Sequence, residues 1–146
     1  MRPAGAVGLG GLLKDKEMRI SRQEQMLRVS RTMGERGTCP RARVGCVIER
    51  DGRILSTGYN GSLPGEVHCD DVGCKMENGH CVRTIHAEAN AICFAAKYGI
   101  TLQGATLYTT GWHSGSCPRC VLLAMAAGIK CIMIEGEDGS CVQQVP

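Results

Sequence analysis

Aromatic side chains are scarce: one Phe, one Trp and three Tyr in 146 residues. So few rings poorly supply a surface that stacks nucleobases. The formal net charge is +3, too small on its own to indicate a nucleic-acid partner. No stretch approaches the ~20 apolar residues of a membrane span. The start, "MRPAGAVGLGGLL", has an early Arg and a short apolar run, as a secretory signal would. Four glycines interrupt that run, and "KDKEMR" follows without a cleavage signature. Residues 1–16 read as a flexible leader and 17–146 as one domain, long enough for a real core.

Cysteine, in contrast, is abundant, with ten residues. An even count fits a secreted disulfide scaffold. Cys46, Cys93 and Cys131 lie within apolar segments, however, where a thiol packs as a small hydrophobe. The other cysteines group with His at ligand-like spacings. Reduced thiols in a cytoplasmic metal-binding protein are the better reading.

Periodicity gives a coarse order of elements. "EMRISRQEQMLRVSRTMGERG" places Met18, Met26, Val29 and Met33 at helical spacing, and Gly34 and Gly37 end it. "RVGCVIERDGRILSTGYNG" reads as two strands joined at Asp51-Gly52, a strong hairpin signal. Residues 61–82 form a long irregular loop. A helix over 84–98 ends at Gly99, "ATLYTT" is a buried strand, and a helix over 117–127 ends at Gly128. "KCIMIE" is the last strand. Helix, two strands, helix, strand, helix, strand implies an α/β layered fold with a mixed sheet.

Within the first Ala-rich helix, "RTIHAEANAI" carries His86 and Glu88 where a buried helix would carry neither. Thirty residues later, "CPRC" places Cys117 and Cys120 at the start of the next helix. Two converging helix starts would set one His against two thiolates. Three such ligands leave a tetrahedral zinc with an open position, the pattern of a catalytic site. Water there has its pKa brought toward ~7. Positive helix ends favour thiolates. Glu88 is then free to shuttle protons beside the metal. A lone CxxC also fits a thioredoxin-like redox pair, but such pairs follow an early strand and need no HAE partner. A lone His on an Ala-rich helix is usually a satisfied core residue. HAE on one helix start with CxxC on another makes the metal reading the stronger one.

The stretches "GYNGSLPGEVHCDDVGC", "NGHCVRTIHAEANAI" and "GIKCIMI" resemble the deoxycytidylate (dCMP) deaminase family, bacterial and phage branch, over roughly residues 18–135. The resemblance implies the cytidine deaminase fold, three α/β/α layers with a mixed, roughly five-stranded sheet. It implies hydrolysis of dCMP to dUMP and ammonia. Zinc would sit on His86, Cys117 and Cys120, with Glu88 as proton shuttle. Asn60 in "GYNG" would bind the deoxyribose hydroxyl, although "YNG" is also a plain turn sequence. The backbone around Ala87 would help hold the amino group. Homo-oligomers, among them hexamers, and dCTP and dTTP as regulators belong to the same family pattern. The chain departs from it in "TTGWHSGSCPRC". This run is longer than usual, Ser116 stands where Pro is expected, and Trp112 and His113 either line the pocket or form an exposed loop. The altered Gly111 to Ser116 loop leaves the substrate open to another cytosine- or adenine-containing molecule, and an idle zinc-binding module is a further alternative. The family's last helix and strand are short or missing here, which would leave a sheet edge to a neighbouring subunit.

A second metal site is drawn from Cys39, Cys69, Cys74 and Cys81, because a loop this long needs something to order it. Four thiolates suit a closed structural zinc. His80, next to Cys81, is the rival fourth ligand. Two zinc ions, one catalytic and one structural, are therefore expected. The substrate phosphate needs a cation, and Arg41, Arg43 and Arg83 are the candidates, with Arg83 leading because it precedes His86 closely.

Overall fold

A computed structural model describes residues 19–111, 117–136 and 141–144. The leader 1–16, Met18, Trp112, His113 and Ser116 lie outside the described residues. Helix α1 spans Arg22–Gly34 and is capped by Ser21, whose hydroxyl accepts from the Glu24 N–H at 3.1 Å. Strands β1 (Gly45–Arg50) and β2 (Arg53–Tyr59) form the expected hairpin. Asp51 and Gly52 take φ of 54° and 79°, the two positive values a tight primed turn demands.

Residues 61–82 are less irregular than expected. β3 (Gly61–Ser62) pairs with β6 (Thr84–Ile85). Between them lie the single-turn helix α2 (Cys69–Val72) and a small hairpin of β4 (Met76–Glu77) and β5 (His80–Cys81). Asn78-Gly79 makes its turn, again with two positive φ values. The helix expected over 84–98 starts later, as α3 (Ala87–Lys97), because 84–85 are extended and His86 is its N-cap. β7 spans Thr106–Thr109. The helix expected over 117–127 is α4 (Pro118–Ala126), with Pro at its opening and Cys117 as N-cap. β8 spans Cys131–Glu135.

The main sheet runs β2-β1-β7-β8-β9, with β7 and β8 parallel and the other pairings antiparallel. The last strand, β9 (Cys141–Gln144), is present but short, as expected, and forms one edge of the sheet. Its four residues lie antiparallel on β8, so ladder bonds supply what the local sequence does not advertise.

Alternation along the strands divides the core in two. Val47 and Tyr108 face α1, meeting Met26 and Leu27. Cys46, Ile48, Leu107, Ile132 and Ile134 face α3 and α4, meeting Ala87, Ala91, Ala95 and Ala124. This is the expected three-layer arrangement. Alanines let α3 lie close to the sheet, and Gly58 permits closer approach still. A Cβ there would stand 2.4 Å from the Ala87 carbonyl oxygen. The Ser56 hydroxyl donates to the Ala91 carbonyl at 2.6 Å. The start of α3 is thus fixed by backbone-to-backbone packing on β2. Of the cysteines read as core, Cys46 and Cys131 are buried, whereas Cys93 is exposed on the outer side of α3. Among the described residues, no helix is long and apolar enough to cross a membrane.

Candidate active site

His86 and Cys117 are the N-cap residues of α3 and α4, yet neither side chain caps its own helix. Both turn instead toward Cys120 in the first turn of α4. The donor atoms of His86, Cys117 and Cys120 lie within 4.8 Å of one another. Nδ1 of His86 is 3.4 Å from Sγ of Cys120. Tetrahedral zinc, with Zn–N near 2.05 Å and Zn–S near 2.3 Å, sets a ligand N···S separation of ~3.6 Å. The trio therefore fits the ion as it stands. Burial, with Glu88 and Cys117 close by, pushes the Cys120 thiol well above its ordinary pKa, while the Ala89 N–H pulls the other way. A divalent cation is the group that stabilises a thiolate in such a place.

Glu88 is 6% exposed and Thr109 0%. The Thr109 hydroxyl donates to Oε1 of Glu88 at 2.6 Å. Glu88 borders a cavity of about 420 Å³ that His86, Ala87, Asn60 and Cys117 also line, and Thr109 holds the carboxylate from behind that lining. Asn60 is held at both ends of its amide. Oδ1 accepts from the Val44 N–H at 2.8 Å, and Nδ2 donates to the Ala42 carbonyl at 2.7 Å. It therefore serves the turn that sequence suggests and also faces the cavity, with one amide hydrogen left to offer.

The three arginines differ in placement. Arg41 lines the cavity. Arg43 makes a two-pronged ion pair with Asp70, at 2.9 and 3.1 Å, and donates to the Gly37 carbonyl. Arg83 is not in the cavity lining, and its Nε is buried without a hydrogen-bond partner. Of the three, Arg41 alone lines the cavity.

The second thiol group also assembles. Donor atoms of Cys39, Cys69 and Cys74 lie within 4.8 Å of one another. Cys39 Sγ is 3.7 Å from Cys74 Sγ, and Cys69 Sγ is 3.6 Å from Cys81 Sγ. These separations far exceed a disulfide bond and match the ~3.8 Å between thiolates on one tetrahedral zinc. Burial, with Cys81 and Cys74 adjacent, pushes the Cys69 thiol up to about 12. Cys81 reaches the trio through Cys69, and both Cys81 and its exposed neighbour His80 line the cavity.

Sequence reasoning did not single out Thr109. A Thr inside an apolar strand signals only β preference, and its partner is 21 residues away.

Residues 20–135 match the model described as the cytidine and deoxycytidylate deaminase zinc-binding region. ComE operon protein 2 of Bacillus subtilis (strain 168) is 45% identical over 114 residues, covering 78% of this chain and 59% of that protein. The chain thus spans under two thirds of that relative's length. Deoxycytidylate deaminase of Enterobacteria phage T2 is 33% identical over 143 residues, covering 72% of this chain and 74% of the phage protein. The dCMP deaminase of the cyanophage S-TIM5, solved in complex with dCMP and dUMP, superposes with a TM-score of 0.68 at 29% identity, over 80% of this chain and 82% of that one. Because the matched region takes in the hairpin, both helix starts and β8, the chain belongs to the cytidine and deoxycytidylate deaminase family.

Proposed function

We propose that this chain is a cytoplasmic zinc hydrolase that converts dCMP and water to dUMP and ammonia. The observation that carries the reading is the convergence of His86, Cys117 and Cys120 donor atoms within 4.8 Å at a cavity that the Glu88 carboxylate also faces. His86, Cys117 and Cys120 would hold the metal beside the cavity. Zinc bound there supplies the Lewis acidity that makes water a nucleophile at neutral pH. Glu88 takes a proton from the attacking water and gives it to a ring nitrogen of cytosine, then takes that water's second proton from the new hydroxyl and gives it to the departing ammonia. Oxygen replaces the amino group and no net proton is left on the carboxylate. The Ala87 backbone helps hold the amino group. Asn60, already ordered by its two backbone bonds, meets a sugar hydroxyl at little entropic cost. Arg41 takes the phosphate.

Cys39, Cys69, Cys74 and Cys81 hold a second, structural zinc in the same reading. It extends to dCTP and dTTP as regulators and to a homo-oligomer, hexameric as in the family pattern. Phe94, Tyr98, Leu122 and Met125 are exposed apolar residues that such an assembly would cover.

The test follows absorbance loss with dCMP, dCTP, deoxycytidine, cytidine and cytosine as substrates. Turnover of dCMP well ahead of the others is the expected result. Preference for an unphosphorylated substrate, or no turnover of any by zinc-loaded protein, refutes the proposal.

A further inference from the structure

We infer that Thr109 is a positioning residue for the proton shuttle. Its hydroxyl fixes Oε1 of Glu88 and leaves Oε2 to carry the proton. This rests on the reading of Glu88 given above.

Thr109 is the last residue of β7, and its backbone is pinned from both sides. It pairs with Cys46 of β1 and with Ile134 of β8. Strand alternation puts its side chain on the face that α3 covers, as for Leu107. A β-branched side chain on a strand held this way has little χ1 freedom. The hydroxyl has one hydrogen to give, and at 2.6 Å it goes to the carboxylate. Valine would fill the same volume, so packing alone does not call for a hydroxyl at a position with no exposure.

The need lies with Glu88. Its backbone is fixed in the first turn of α3 by the contact of that helix with Gly58. Beyond Cβ, however, a glutamate has two further torsions before its carboxylate plane. A shuttle must present the same oxygen to water, then to the ring nitrogen, then to ammonia. Oε1 stays an acceptor whether or not Oε2 is protonated, so the Thr109 bond survives every step and the carboxylate does not swing away between them. Nearby Gly111 adds little steric restraint, since even a Cβ there would be 3.6 Å from Oε1. Among the described residues, this hydroxyl is the one hydrogen-bond donor to that carboxylate.

The experiment compares Thr109→Val, Thr109→Ser, Glu88→Gln and the Thr109→Val/Glu88→Gln double variant. Each is assayed on dCMP, with zinc content, melting temperature and dUMP affinity measured alongside. Misplacing a catalytic group by about 1 Å costs on the order of a hundred-fold in rate. Thr109→Val should therefore lower kcat by about ten- to a hundred-fold, with KM, dUMP affinity, zinc content and melting temperature close to wild type. Thr109→Ser should restore most of the rate. In the Glu88→Gln background the Val substitution should change residual turnover little, because the group it positions is gone. Full activity of Thr109→Val beside an inactive Glu88→Gln overturns the inference about Thr109 and leaves Glu88 standing. High activity of zinc-loaded Glu88→Gln overturns the underlying reading. Equal losses in Thr109→Val and Thr109→Ser, or loss of zinc with activity, assigns Thr109 a structural role and also overturns the inference.

Discussion

Replacing Cys74 with Ser tests the second thiol cluster. Cys39 and Cys74 are 35 residues apart in sequence with sulfur atoms 3.7 Å apart. A zinc ion joining them is held by the folded chain and released on unfolding, so its binding free energy adds to stability. At free zinc a thousand-fold above its Kd this linkage stabilises by ~4 kcal/mol. Serine leaves three thiolates and weakens the site enough that the ion is lost on purification. For a domain of this size, ~4 kcal/mol corresponds to a fall of roughly 10–15 °C in melting temperature. Zinc per chain, measured by mass spectrometry of acid-digested protein, should drop from two to one. Cys39 and Cys81 line the same cavity as His86 and Glu88, so KM for dCMP should rise while kcat changes less. Cys93→Ser is the control, because Cys93 is exposed on α3 and belongs to neither cluster. One zinc per chain in the wild type would refute the second site outright. So would a Cys74→Ser protein that keeps two zinc ions and melts normally.

Arg41→Ala should reduce kcat/KM for dCMP about ten- to a hundred-fold for each charge-assisted hydrogen bond lost and leave deoxycytidine turnover unchanged. Arg83→Ala should leave both rates unchanged; a loss on dCMP confined to Arg83→Ala would return the phosphate to that residue. Gly58→Ala forces a Cβ to within 2.4 Å of the Ala87 carbonyl and should cost about 1–3 kcal/mol in stability while lowering turnover, as denaturant midpoints and rates on dCMP would record.

Some of this was written locally in the sequence. Asp51-Gly52 specified its hairpin because a primed turn needs positive φ at both positions and few residue pairs accept it. Asn78-Gly79 carries the same signal for the β4–β5 hairpin. It was obscured because strands of two residues are too short to show alternation. Helix existence followed from periodicity, but helix starts did not. His86 and Cys117 are caps whose side chains face another helix, so the usual Ser, Thr, Asp or Asn marker is missing. At α1 a marker was present: Ser21 and Glu24 have the spacing of a capping box and place its start better than the apolar pattern does. β9 follows a Gly- and Asp-rich stretch and has no apolar alternation; its partner β8 makes it a strand.

The candidate catalytic residues were legible because metal binding fixes residue types and spacings together. Roles that depend on direction were not. Arg43 is drawn off by Asp70, 27 residues away, and no local feature of "RAR" separates it from Arg41. Thr109 reads as an ordinary strand former, and only the folded sheet places its hydroxyl against Glu88.

The two thiol clusters divide the work of one cavity. The first sits where rigid helices start, and alanine and glycine packing on β2 already holds that end of α3. The second sits in a segment whose residues 63–68 and 75–80 are exposed, with short ladders that bury little apolar surface. Ordering such a segment costs about 1–2 kcal/mol per residue in backbone entropy, which hydrophobic burial there does not offset. The Arg43–Asp70 pair is exposed and contributes little. The thiol cluster is the strongest remaining restraint, and it lies under the wall that carries His80 and Cys81 into the cavity. Loss of metal at the first cluster should therefore appear in kcat, and loss at the second in KM and in melting temperature.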